Sequence, residues 1–205
     1  DPVDAGEAEV DQGDVDVPFV VTPDHVTREM LKLADVKPGD FVIDLGSGDG
    51  RIVIVAARQF GARGLGVEIV PELVEQSRAN AKKAGVADRV EFRVQDLFAT
   101  DLSQATVITM YLLPEVNLQL RPRLKALKPG TRIVSHDGGI GDWPPDERLE
   151  MRAPEKPVGV GGVSRVELWI AGLNQPLHQR GNRQVAEPLP AVLDRSGRLR
   201  NHRLV

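Results

Sequence analysis

The amino-acid sequence predicts an α/β protein, a doubly wound sheet of seven strands that is mostly parallel and ends in an antiparallel strand pair. Three observations carry this expectation. Between residues 41 and 135, short apolar runs alternate with segments of helical period, the pattern of strands connected by crossover helices. The first run, Phe41-Val42-Ile43, passes into Asp44-Leu45-Gly46-Ser47-Gly48-Asp49-Gly50 and then Ile52-Val53-Ile54-Val55-Ala56, which reads as strand, glycine turn and helix. Later, 148–152 and 164–170 alternate polar and apolar residues across one Gly/Pro-rich loop, as an antiparallel pair at a sheet edge does.

Taken in order, Val26, Met30 and Leu33 recur at helical spacing behind Thr22-Pro23, which reads as an N-cap and a first-turn proline, so a helix is expected over 23–34. Lys37-Pro38-Gly39-Asp40 stops it and delivers the chain to a strand over 41–45. A helix over 50–60, a strand over 64–68, a helix over 71–84 opened by Pro71 and closed by Gly85, and a strand over 89–94 follow. Next come a strand over 105–111 and a helix over 114–127, in which Pro122 is expected to introduce a kink. Lys128-Pro129-Gly130-Thr131 repeats the earlier stop ahead of a strand over 132–135. From Ala171 the chain has scattered single Leu and Val, Pro176, Pro188 and Pro190, and no sustained period. The expected organisation is an acidic leader over 1–18, a folded domain over 19–170 and a basic tail over 171–205 without a core of its own.

A chain of 205 residues with 41% apolar and 27% charged residues is sized and composed for one well-buried core. No apolar run approaches the ~20 residues of a membrane helix. The absence of cysteine excludes disulfides and thiolate metal sites. Asp1 in place of Met points to residues removed ahead of it. The net charge of −4 is unevenly spread: residues 1–20 hold seven acids and no Lys or Arg, whereas 171–205 hold six Arg against Glu187 and Asp194. The nearly neutral middle has no Lys/Arg run able to neutralise several phosphates, so a nucleic-acid partner is not expected.

The glycine turn carries the chemistry. A dinucleotide fingerprint reads G-x-G-x-x-G, with the pyrophosphate on the helix N-terminus. Here the spacing is G-x-G-x-G, and an acid, Asp44, lies two residues before Gly46. That acid would repel a pyrophosphate and welcome the ammonium of an amino-acid moiety. Glu68 ends the second strand 24 positions after Asp44, where an acid can accept hydrogen bonds from both hydroxyls of a ribose. Asp96, in Gln95-Asp96-Leu97, follows the third strand. Ligands of open α/β sheets bind at the carboxyl ends of strands, so the three acids converge on one crevice. Read one by one, each has a duller explanation: Asp44 or Asp96 as a cap, Glu68 as the residue ahead of a helix.

Seven strands with a reversed terminal pair and Asp44-Leu45-Gly46-Ser47-Gly48-Asp49-Gly50 resemble the class I S-adenosylmethionine-dependent methyltransferases, a Rossmann-like fold, over about 19–170. The resemblance implies S-adenosyl-L-methionine as cofactor and S-adenosyl-L-homocysteine as product. It places Asp44, Gly46, Ser47 and Gly48 at the amino-acid part, Glu68 and Ile69 at the ribose, Asp96 at the adenine N6 and Leu97 over the ring. Phe19-Val20-Val21-Thr22-Pro23, Asp49-Gly50-Arg51, Tyr111-Leu112-Leu113-Pro114-Glu115 and Ser135-His136-Asp137 are similar to a narrower family of small protein-lysine methyltransferases. Its mitochondrial members modify the ATP synthase c-subunit and the adenine nucleotide translocase. Members usually read Tyr-Val-Pro-Thr-Pro at the first motif, from which Phe19 and Val21 depart while Thr22, a further cofactor contact, is kept.

Methyl transfer from a sulfonium requires a neutral nucleophile held in line in a dry pocket, and an acceptor lysine must first lose its proton. Tyr111, the single tyrosine, and Glu115 are candidates for the acceptor wall; His136 and Asp137 are candidates to orient the acceptor or take a proton. Ordinary packing explains each of them as well. Trp143 reads as a lid or, preferably, a loop anchor. No Asn-Pro-Pro-Tyr motif follows the fourth strand, no spacing suggests a catalytic metal, and no Gly-x-Ser-x-Gly elbow suggests a hydrolase. The leading expectation is therefore N-methylation of a protein lysine; the rivals are a small metabolite or lipid as acceptor, and a cofactor-binding scaffold with little turnover. Because the cofactor is made in the cytosol, a cytoplasmic location is expected, with export or membrane association after N-terminal processing as the alternative.

Overall fold

Strands and helices alternate as α1 (Asp24–Leu33), β1 (Phe41–Leu45), α2 (Arg51–Phe60), β2 (Arg63–Glu68), α3 (Pro71–Lys83), β3 (Val90–Val94), β4 (Val107–Met110), α4 (Pro114–Lys125), β5 (Arg132–His136), β6 (Glu147–Arg152) and β7 (Val163–Ile170) in a computed structural model. The structure describes residues 21–156 and 162–173, so the leader, Phe19 and Val20, and the tail past Leu173 lie outside it. The seven strands form one sheet in the order β3-β2-β1-β4-β5-β7-β6. β1 to β5 pair in parallel, and β7 inserts antiparallel between β5 and β6. Strand order reverses between β1 and β4, which opens a crevice at the carboxyl ends of these two strands.

The period of two along each strand builds two cores at once. Val42, Val107, Val134 and Leu168 face α1 and α2, meeting Val26, Met30, Ile52 and Ala56. Their neighbours Ile43, Ile108, Ile133 and Trp169 face the other way, against Leu120 and Leu124 of α4. A third cluster joins Val53 and Ala57 of α2 to Val74 and Ala81 of α3 and Phe92 of β3. Apolar residues on both faces are what a parallel sheet covered by helices needs.

The structure changes the expected elements at three places. Pro23, not Thr22, occupies the cap position of α1, and no side chain caps it, because the Thr22 hydroxyl is turned to His136. β4 ends at Met110, so Tyr111 and Leu112 belong to the turn into α4, which begins at Pro114. β5 runs on through His136, held by antiparallel pairing with Val166. Past the predicted limit of the domain, Ala171 is buried and exchanges backbone hydrogen bonds with Gly130 and Thr131.

Candidate active site

The glycine turn is fixed by backbone bonds from below and by side chains from the side. Gly46 and Ser47 both donate to Val67 O at 2.9 Å, which presses the turn onto the end of β2. From α3, Ser77 donates to Gly48 O at 2.8 Å and Asn80 to Asp49 O at 3.0 Å. Gly46, Gly48 and Gly50 all have positive φ. At Gly50, with φ of 82°, a Cβ would also come within 2.7 Å of the Phe92 ring, so only glycine fits.

Two carboxylates, Asp44 and Glu68, meet at this turn, and a third, Asp96, follows the neighbouring strand β3. Asp44 is buried at the end of β1, in register with Thr109 of β4, whose hydroxyl donates to Oδ1 at 2.7 Å. Burial, together with the charges of Glu68 and Asp49, pushes its carboxyl up to about 7, and Thr109 only partly offsets this. Oδ2 of Asp44 has no partner among the described residues. Glu68 is aimed by three backbone donors: Gly48 N at 3.0 Å to Oε2, and Ile69 N at 2.9 Å and Val70 N at 3.2 Å to Oε1. Asp96 accepts from Phe98 N at 2.8 Å and so caps the short 3₁₀ turn Leu97–Ala99, the duller role the sequence allowed, while its other oxygen is unbonded among the described residues. Ile69 is 69% exposed beside Glu68, and Phe98 is exposed beside Asp96, an apolar face of a kind that a flat ring covers.

Across the crevice stand the residues expected at the acceptor. Tyr111 is half-buried with its ring centroid 4.1 Å from that of His136, the planes tilted by 37°. Burial and the Asp137 charge raise the phenol, keeping it neutral. His136 is fully buried, with Nδ1 3.1 Å from the Thr22 hydroxyl and Nε2 2.8 Å from the Ser164 hydroxyl. Burial lowers its pKa to about 4, so the ring is neutral near pH 7. With both nitrogens engaged, His136 has no atom left for a proton from an acceptor. Asp137, at a φ of 57°, is likewise occupied: Arg165 N donates to Oδ1 at 2.8 Å and the Lys156 ammonium to Oδ2. Both are therefore supports, in contrast to the proton-taking role the sequence left open. Glu115 is exposed and makes no bond among the described residues. Thr22 is 3% exposed, with its hydroxyl bonded to His136 and its carbonyl accepting from Arg51. Trp143 is an anchor: its carbonyl accepts from Trp169 Nε1 at 3.0 Å and its ring lies 5.3 Å below Lys125 Nζ.

The ANTKMT methyltransferase domain matches residues 44–147, the stretch that carries the turn, all three acids and the acceptor wall. The chain belongs to this methyltransferase family. A protein-lysine N-methyltransferase from Saccharolobus islandicus is 47% identical over 137 residues, 66% of this chain and 85% of that protein. The human lysine N-methyltransferase of the ATP synthase c-subunit is 34% identical over 131 residues, 63% of this chain but only 55% of that protein. A crystal structure of an RNA methyltransferase from Salinibacter ruber in complex with S-adenosyl-L-homocysteine superposes with a TM-score of 0.68 at 53% identity, covering 77% of this chain and 97% of that one. The methyltransferase is S-adenosylmethionine-dependent. Its residues fit that cofactor: buried Asp44 with a free oxygen, Glu68 and Asp49 form an anionic site without a nearby unpaired cation, and the cofactor carries both an ammonium and a sulfonium. Among the described residues no cluster of His, Cys, Asp or Glu could hold a metal.

Several supporting residues escaped the sequence reading. Thr109 left a signal, a polar residue inside Val107-Ile108-Thr109-Met110. Ser77, Asn80, Arg123, Lys156 and Ser164 left none, because each acts on backbone or side chains far away in sequence.

Proposed function

We propose that this methyltransferase modifies the ε-amino group of a protein lysine. The observation that carries the reading is the charge of the crevice rim. The segments 44–50, 68–70, 95–100, 111–113 and 137–142, at the carboxyl ends of the five parallel strands, contain Asp44, Asp49, Glu68, Asp96, Asp137 and Asp142 but no Lys or Arg. Of the bases that reach them from elsewhere, Arg51 pairs with Asp49, Arg121 with Asp142 and Lys156 with Asp137, while Arg123 is spent on the carbonyls of Leu97, Phe98 and Thr100, so that Asp44, Glu68 and Asp96 keep no cationic partner among the described residues. Such a rim attracts a cationic side chain and repels a polyphosphate backbone. The name of the Saccharolobus islandicus relative supports the same acceptor; that of the Salinibacter ruber structure favours RNA, against which the rim argues.

S-Adenosylmethionine, when bound, supplies a methyl group on a positively charged sulfur. The residues of the chain do the rest. Asp44 and Glu68 hold the cationic and hydroxyl groups of the cofactor, and Leu112 packs on the glycine turn, 3.0 Å from where a Gly46 Cβ would lie, joining the acceptor wall to it. Tyr111, neutral and half-buried, supplies the wall against which an uncharged amine is held in line. Glu115 draws the lysine ammonium to the rim and passes its proton to water.

Labelled cofactor, incubated with the methyltransferase and separated protein, RNA and small-molecule fractions, tests this. The expected result is label in protein, recovered as methyl-lysine after hydrolysis. Label confined to RNA or to a metabolite overturns the reading, and a folded chain that binds cofactor but labels nothing points to the scaffold.

A further inference from the structure

We propose that Thr22 is a positioning residue that fixes the acceptor wall to the cofactor turn. The inference rests on Tyr111 forming that wall. The contacts run unbroken from one half of the crevice to the other. Arg51, at the first position of α2, grips Asp49 of the glycine turn through Nη2 at 2.8 Å and donates from Nη1 to Thr22 O at 3.1 Å. The Thr22 hydroxyl lies 3.1 Å from His136 Nδ1, and the His136 ring carries Tyr111 at 4.1 Å. On the far side, Nε2 meets Ser164 at 2.8 Å, with Asp137 Oδ2 at 3.4 Å.

The direction of these bonds follows from the charge beside them. A carboxylate near Nε2 favours the proton on that nitrogen, which then donates to Ser164 Oγ. Nδ1 is left as an acceptor, and Thr22 is its donor. The Asp137 carboxylate thus sets the tautomer and the two hydroxyls hold the plane of the buried ring, on which Tyr111 rests. In-line transfer tolerates little misplacement of the nucleophile, so the tilt of the wall matters. Thr22 thus has its backbone held by the cofactor side and its side chain held by the acceptor side.

The test uses the full chain and needs no acceptor, so it is separable from the lysine reading. Tyr111 is the only tyrosine, and ring-labelled tyrosine therefore gives a single NMR signal from the wall itself. In protein saturated with S-adenosyl-L-homocysteine, Thr22→Val is expected to displace or broaden that signal while the affinity for this ligand stays within about threefold of the original. Thr22→Ser, which keeps the hydroxyl, is expected to restore the signal, and Ser164→Ala to perturb it from the other nitrogen. A Tyr111 signal that superposes on the wild type in Thr22→Val overturns the proposal. So does an affinity loss of about tenfold or more with an unmoved signal, which would return Thr22 to the cofactor. Should Thr22→Val fail to fold, Ser164→Ala decides by the same two readouts.

Discussion

Asp44 is a carboxyl group whose surroundings oppose its charge until a cation arrives. Burial, Glu68 and Asp49 hold its pKa near 7, whereas an ammonium bound beside it favours the ionised form. Binding of the cofactor near neutral pH is therefore linked to release of a proton. Affinity for S-adenosylmethionine should rise as pH goes from 6 to 8, by at most about tenfold per unit below the pKa, and level off above it. In Asp44→Asn the affinity should be lower and the slope lost, which titration calorimetry at several pH values reads directly. Glu68 differs because its oxygens are already aimed by three backbone donors. Glu68→Ala should weaken binding by about 1–3 kcal/mol, the range for hydrogen bonds to a charged group, with some loss of order in the Gly48 turn.

At the scale of elements, the glycine turn and α4 have the most to lose. Gly50→Ala places a methyl against Phe92 and Ser77 in a left-handed backbone. The expected loss is roughly 2–5 kcal/mol, from backbone strain and overpacking together, measurable by chemical denaturation. α4 acts on two loops at once. Asn117 donates to Gly139 O at 3.1 Å beside the acceptor wall, while Arg123 holds the carbonyls of Leu97, Phe98 and Thr100 behind the adenine-side turn. Arg123→Ala should therefore weaken the cofactor by about 1 kcal/mol through a residue that does not touch it, and leave Asp44-linked proton release unchanged. A loss of that linkage would show that α4 holds the whole crevice and not the one turn.

Over the whole molecule, two buried groups pull stability in opposite directions. The raised carboxyl of Asp44 binds a proton in the folded chain that the unfolded chain has lost by pH 4, so its penalty appears as pH climbs from about 4 to 7. The lowered imidazole of His136 does the reverse: the unfolded chain takes up a proton near 6.5 that the folded chain refuses until about 4, so stability falls as pH drops through that window. Each is worth a few kcal/mol at most, about 3–4 by the size of the shifts. Between pH 4.5 and 6.5 the slopes cancel. Asp44→Asn should expose the His136 slope, with a melting temperature that falls on acidification. His136→Asn should expose the Asp44 slope, with a melting temperature that rises on acidification relative to pH 8. Parallel profiles in both variants would contradict the pairing.

The alternation of strand and helix, the glycine turn and the three acids at strand ends were legible in the sequence because each is a local or periodic signal: two-residue and 3.6-residue periods, a glycine spacing, an acid where a strand stops. The order of the strands in the sheet came from the fold, because handed crossovers fix the face on which each helix lies and not which strands are neighbours. What Thr22, His136 and Asp137 do was decided only by the tertiary structure. Thr22 and His136 are 114 positions apart, and a hydroxyl before Pro reads locally as a cap. Burial then removed the nitrogens of His136 from any acceptor, and Lys156, on the segment between β6 and β7, occupied Asp137. Local spacing shows where a polar side chain stands along the chain. Its protonation and its partner depend on what the fold places within three ångströms of it, and on how much water the fold leaves there.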